Sequence, residues 1–263
     1  MNYAIVFRLL GYVLMIEGAL LLLPAAASLV YGEWMVLGVF LLTAAVSAGI
    51  GYALHTIKPR SKVFYMREGF AATALSWIAI SIVGAVPFVL TGCIPNPVDA
   101  LFETVSGFTT TGASIIDDVS TLPHGILFWR SFMQWIGGLG IVFFTIALLP
   151  SFVGGSVKVF AAEATGPIKT KLQPRLSTNA KWIWVVYLFI TLLCIGSLML
   201  AGMTPFRSIN YSMATAATGG FAVDSDYSVF TPAVQYILTF FCFVSGVNFT
   251  LLYISVSKRK LST

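Results

Sequence analysis

Charge is what this sequence is short of. Asp, Glu, Lys and Arg make up 10% of its 263 residues, against roughly 25% in an average soluble domain. Cysteine is scarce too: Cys93, Cys194 and Cys242 stand far apart, with no CxxC or Cys/His spacing, which excludes a metal framework and a disulfide scaffold and leaves three small apolar residues. The two histidines, His55 and His124, fall at span ends on opposite sides. No Ser/His/Asp, Cys/His or paired-carboxylate constellation is present, so the chain is not expected to be an enzyme. The glycine run "QWIGGLGI", Gln134 to Ile141, has no strand before it and no Lys-Ser/Thr after it, which excludes a phosphate loop. Gly137, Gly138 and Gly140 read instead as sites of close helix packing or of a bend.

What is abundant is apolar length. Mean hydropathy is +0.91, and the fold class is an all-α integral membrane protein. Ile5 to Val30, Trp34 to Thr56, Gly69 to Leu90 and Ile126 to Leu149 are each long enough to cross ~30 Å of hydrocarbon, and Trp182 to Met203 and Pro232 to Val256 make six spans. The first is too long for a signal peptide, carries Glu17 in its middle, and is expected to stay attached. For Glu17, a partner on a neighbouring helix of the N-terminal extension is one reading, and a place in the pore is not expected.

The net charge of +5 is distributed in a way that argues against nucleic acid. Lys58, Arg60, Lys62 and Arg67 share one connection, Lys158, Lys169, Lys171, Arg175 and Lys181 another, and Lys258, Arg259 and Lys260 the end. Six spans put all three clusters on one side, cytoplasmic by the positive-inside rule, with both termini. Ser151 to Lys181 then offers a basic surface to anionic lipid headgroups or a regulatory partner. Glu33, Asp99, Asp117, Asp118, Asp224 and Asp226 lie toward the other side. An acidic outer mouth concentrates cations, although outer loops also lack basic residues for topological reasons alone.

Two connections resemble each other. "TGCIPNPVDALFETVSGFTTTGASIIDDVSTLPHG" and "AGMTPFRSINYSMATAATGGFAVDSDYSVFT" each begin at a glycine, pass a proline, run about ten residues and reach Thr-Gly before ending in aspartates. A shift of 107 positions puts Thr111-Gly112 on Thr218-Gly219, an internal repeat. Val98 to Phe108 is too short to cross a bilayer at 1.5 Å per residue. Pro97 and Pro205 suit the first turn of such half-length helices. Non-helical backbone at membrane depth is tolerated only where it is buried in protein or lines water, so the pattern predicts re-entrant loops beside a pore. Backbone carbonyls can replace an ion's hydration shell, and aiming successive carbonyls at one axis needs partly left-handed backbone, which glycine permits. Thr110, Thr111 and Thr218 would offer a hydroxyl or brace the turn. The partly negative C-terminal end of each short helix favours a cation.

The stretches "SWIAISIVGAVPFVLTG", "DALFETVSGFTTTGASII" and "FWRSFMQWIGGLGIVFFTIALLP" closely resemble the first span-pore-span unit of the Trk/Ktr/HKT superfamily of potassium transporters, specifically the membrane subunit of bacterial Trk systems. "ATAATGGFAV" and "SGVNFTLLY" resemble the second unit, and "MREGF" before the third span fits as well. The resemblance implies potassium uptake through a filter of four loops in pseudo-fourfold symmetry, in a bacterial inner membrane. The filter positions it implies are Thr110, Thr111, Gly112 and Ala113, then Ala217, Thr218, Gly219 and Gly220, with potassium at Thr111, Gly112, Thr218 and Gly219. It also implies a nucleotide-binding regulatory subunit docked on the cytoplasmic side; no organic cofactor is expected.

The expected organisation is a two-helix extension over 1–57, a first unit over 69–149, a basic connection over 150–181 and a second unit over 182–257. Only two of four units are present, so a second half or a second copy is expected to complete the pore. Three readings follow: a potassium-translocating subunit or half of one, a half that inserts and assembles without conducting alone, and a sodium-permeable transporter of the same fold. Arg130 either pairs with Glu103 and supports the loop or snorkels to the interface. Asn248 either braces the second loop or hydrogen-bonds another helix.

Overall fold

The computed structural model describes residues 2–58, 66–138, 140, 176–226, 228 and 230–247. Among these, the regular structure is helical, with no strand. α1 (Tyr3–Leu20) and α2 (Leu22–Val30) form one 28-residue apolar stretch, interrupted near Pro24. That proline has no N–H to give the carbonyl a turn earlier, and its ring crowds the same carbonyl. α3 (Trp34–His55) returns, and α4 (Met66–Leu90) follows. With Ile183–Leu200 of α7 (Leu176–Leu200), these supply four helices long and apolar enough to cross a membrane. α6 (His124–Gly138) and α9 (Pro232–Ser245) cover the starts of the fourth and sixth expected spans in 15 and 14 residues. The later parts of those spans, residues 141–149 and 248–256, lie outside the described residues, as do 59–65 and most of the basic connection.

Two short helices of equal length stand between the long ones. α5 (Pro97–Phe108) and α8 (Pro205–Ala216) have 12 residues each and open on proline in the first turn. Proline there sacrifices an N–H that no helical carbonyl would have received. Asn96 caps α5, its side-chain carbonyl accepting from the Val98 N–H at 3.0 Å. α5 packs between α4 and α6, and α8 packs against α6, α7 and α9. α6 is therefore the wall shared by both short helices.

Packing around that wall is aromatic and close. Trp129 on α6 donates its indole N–H to the Gly84 carbonyl of α4 at 3.0 Å and meets Phe40 and Phe108 edge-on. Trp135 donates to the Thr191 hydroxyl at 3.1 Å, and the Tyr187 hydroxyl donates to the Trp135 carbonyl at 3.0 Å, joining α6 to α7. Gly137 and Gly138 serve the close approach the sequence suggests. A β-carbon on Gly137 would stand 2.0 Å from the Phe108 carbonyl oxygen, and one on Gly138 3.0 Å from the Ala217 Cα. The end of α6 thus rests on the C-terminal ends of both short helices.

A partner for Glu17 is not found among the described residues: the side chain is buried, and neither carboxyl oxygen has a hydrogen-bond partner there. The reason lies in the α1–α3 crossing, which brings backbones together at Gly11 against Gly51 and at Gly18 against Ala44 and Ala48. Such small residues carry no donor side chain, and the Ser47 hydroxyl there goes to the Leu14 carbonyl at 2.8 Å.

Candidate functional site

Each short helix ends in the same backbone figure. After α5, Thr109 N–H donates to the Val105 carbonyl, Thr110 N–H to Gly107 and Thr111 N–H to Ser106, at 2.9–3.0 Å. After α8, Ala217 N–H donates to Met213, Thr218 N–H to Thr215 and Gly219 N–H to Ala214, at 2.9–3.2 Å. Left-handed backbone falls at Thr110 (φ 56°) and Gly112 (φ 78°) in the first loop, and at Thr218 (φ 53°) and Gly220 (φ 83°) in the second. Bond for bond and angle for angle, the repeat runs at 108 positions, one more than the 107 that aligns the Thr-Gly pairs. Thr110 corresponds to Thr218, Thr111 to Gly219 and Gly112 to Gly220. A left-handed threonine is uncommon, since a β-branched side chain crowds its own backbone there, and its recurrence at equivalent positions marks a required shape.

The two loops meet. A β-carbon on Gly112 would stand 1.9 Å from the Gly219 carbonyl oxygen, so no side chain fits there. Thr109, Thr111, Ala113, Thr218 and Gly220 are exposed, whereas Ala217 and Gly219 are buried. The Thr109 and Thr111 hydroxyls lie 2.8 Å apart and share a hydrogen bond, and the Thr218 hydroxyl donates to the Ala217 carbonyl at 2.7 Å. The Thr111 and Thr218 hydroxyls therefore brace their own turns. Among the described residues there is no cluster of three His, Cys, Asp or Glu side chains able to hold a metal.

Behind the loops sits a buried ion pair. Of the two placements open to Arg130, the structure has the paired one: its guanidinium lies 2.8 Å from the Glu103 carboxylate, with 2% and 0% of the side chains exposed. Glu103 also accepts from the Ser114 hydroxyl at 3.0 Å and the Ile115 N–H at 3.1 Å, gripping the first loop as it leaves Gly112. Arg130 donates from Nη1 to the Ala222 carbonyl at 2.9 Å and lies 4.3 Å from the centre of the Phe221 ring, gripping the second loop. One arginine on α6 thus answers one carboxylate and holds both loops. Such a pair needs its other donors and acceptors satisfied to repay the cost of leaving water, and here they are met by loop backbone and the Ser114 hydroxyl.

Four contributors escape a reading of the sequence. Gln134, one turn beyond Arg130 on α6, accepts from the Phe221 N–H at 3.0 Å. Tyr211, equivalent to Glu103 in the 108 register, donates to Asp224 at 3.0 Å and accepts from the Asp224 N–H at 3.1 Å. Arg207 adds an ion pair to Asp224. At the outer end Ser225 donates to Asp118 at 2.5 Å and accepts from the Val119 N–H at 3.1 Å, tying one loop to the other. Hydrogen bonds from Ser120, then Ser225, hold the Asp118 carboxyl below its usual range. The i, i+4 spacing of Arg130 and Gln134 on an otherwise apolar helix was the available signal for the glutamine. Asn248 lies outside the described residues.

Two apolar helix-half-helix-helix units, their loops clasped by one shared helix, define a class of membrane protein rather than a soluble fold. The sequence model described as "TrkH: Cation transport protein" matches residues 37–263, and the chain belongs to that family. It is 34% identical to the Trk system potassium uptake protein TrkH of Halomonas elongata, over 100% of this chain and 55% of the relative. With the protein of the same name from Escherichia coli it is 35% identical, over 99% and 55%. The crystal structure of the potassium transporter TrkH from Vibrio parahaemolyticus superposes with a TM-score of 0.77 at 32% identity, covering 98% of this chain and 53% of that one. The chain spans about half the length of the curated relatives it matches.

Proposed function

We propose that this chain forms one half of a potassium-uptake pathway whose filter is built from backbone carbonyls of four loops, two of them supplied here. The observation that carries the reading is the repeated loop: two half-length helices followed by the same left-handed turn, meeting at Gly112 and Gly219. A carbonyl-lined filter needs such backbone, and the family to which the chain belongs transports cations. Thr110, Thr111, Gly112 and Ala113 with Ala217, Thr218, Gly219 and Gly220 are the proposed ion-facing positions. Potassium is the cargo at Thr111, Gly112, Thr218 and Gly219. Glu103 and Arg130 support the loops, and Asn248 is the proposed counterpart for the second unit. α5 and α8 are then re-entrant helices, six spans cross an inner membrane, and both termini face the cytoplasm. The divisions 1–57, 69–149, 150–181 and 182–257 become extension, first unit, basic connection and second unit. The basic connection faces anionic lipid or a nucleotide-binding regulatory subunit.

The half-length match favours a second, narrower reading: the chain inserts and assembles but conducts only with a second half or a second copy. Flux into liposomes separates the two. Purified chain reconstituted alone, and together with the C-terminal half of a relative, is assayed for potassium and sodium entry. Potassium entry exceeding sodium entry in either preparation supports the pathway, and entry only in the mixed preparation assigns the chain as a non-conducting half. Absence of potassium entry from both overturns the proposal.

A further inference from the structure

Gln134 is fully buried at the point where the two loops touch. Its side-chain oxygen accepts from the Phe221 N–H, two residues beyond Gly219. That bond fixes the orientation of the amide, because an N–H demands the carbonyl face, and so directs the NH2 group the other way. The NH2 is buried and has no hydrogen-bond partner among the described residues. It lies 3.7 Å from where a β-carbon on Gly112 would stand and 2.7 Å from where one on Gly219 would stand. A lone buried donor is costly, and here it borders both glycines that form the loop contact.

The glutamine also accounts for a break in the repeat. In the 108 register the first loop has Thr111 where the second has Gly219. A β-carbon on Gly219 would stand 2.4 Å from the Gln134 carboxamide carbon, so the amide occupies the space that a side chain at 219 would need. The backbone at Gly219 is not left-handed, so space, not conformation, demands glycine there.

We infer that Gln134 is a positioning residue that sets the second loop against the first, and so takes part in deciding which cation the pathway accepts. This rests on the functional reading above. The Phe221 bond anchors the backbone just after Gly219, and the amide body fixes how near its carbonyl comes to Gly112. A loop free of that anchor can relax around a cation of another radius, so discrimination falls before transport does.

Gln134→Met keeps length and bulk while removing the acceptor, and Gln134→Glu restores an oxygen to the Phe221 N–H. Hydrogen exchange of the full-length chain in lipid nanodiscs follows the segment that includes Phe221, and the ratio of potassium to sodium entry is read in the mixed liposomes. Losing one hydrogen bond predicts that Gln134→Met exchanges that segment roughly fivefold faster and lowers the entry ratio by a similar factor, with Gln134→Glu recovering most of both. Gln134→Asn, which is too short to reach Phe221, is read in the same way if Gln134→Met fails to insert. Unchanged exchange and an unchanged ratio in an inserted variant overturn the inference. The exchange measurement needs no transport, so wild-type chain that carries no potassium even in the mixed liposomes rejects the functional reading while exchange still decides whether Gln134 anchors the loop.

Discussion

A guanidinium inside an apolar helix persists only if its charge is answered, and Arg130 is answered by Glu103 with almost no access to water. Removing either partner strands the other. Arg130→Met or Glu103→Met alone should each lower stability by about 3–5 kcal/mol. The pair Glu103→Met with Arg130→Met should recover a large part of that, since it strands no charge. Thermal unfolding of the detergent-solubilised variants checks this through the sign of the coupling between the two sites. Farther out, Asp118 joins the loops through Ser225. Because its carboxyl titrates lower folded than unfolded, its contribution is full above the ordinary aspartate range and is lost as pH falls through the lower folded value. Exchange of the Val119 amide, which donates to Ser225, should therefore stay slow through neutral and mildly acid pH. It should quicken only below the ordinary aspartate range, and Asp118→Asn should remove that acid-side dependence.

At the scale of elements, α1 and α3 cross through glycine. A β-carbon on Gly51 would stand 2.7 Å from the Gly11 carbonyl oxygen, while nothing lies within 4 Å of Gly38 or Gly49 on the same helix. Gly51→Leu should force the helices apart and cost about 1–3 kcal/mol or more. Gly49→Ala should leave the unfolding temperature unchanged or raise it, because alanine favours the helix and meets nothing. Element boundaries were largely legible: apolar length marked the long helices, and Pro97 and Pro205 marked the first turns of α5 and α8. The register of the repeat was not. Matching Thr-Gly to Thr-Gly selects residue identity, whereas the backbone repeats by conformation and tolerates threonine at Thr110 and Thr218 where glycine is usual. Gln134 and Tyr211 were equally hidden, since which loop amide a buried polar side chain meets depends on the turn of one helix against another. For Glu17, an acid in a span suggests a partner, but the backbone crossing beside it, seen only in three dimensions, supplies none.

At the scale of the whole molecule, the short helix α5 and the helix α9 keep large apolar side chains out of the packing among the described residues. Val98, Phe102 and Val105 on α5, and Tyr236, Phe240 and Phe243 on α9, expose large apolar surface. The loop residues Thr109, Thr111, Ala113, Thr218 and Gly220 are exposed as well. The chain spans about half the length of the relatives it matches, and under the proposed function that exposed surface meets lipid or a second half. The central claim is that ions pass beside Gly112. It is tested most directly by potassium uptake in a bacterial strain lacking its own uptake systems, carrying the chain with a complementary half, wild type against Gly112→Val. A β-carbon at 112 meets both a left-handed backbone and the Gly219 carbonyl. The account predicts that uptake is abolished while the variant still reaches the membrane in normal amount. Uptake equal to wild type in Gly112→Val would contradict it.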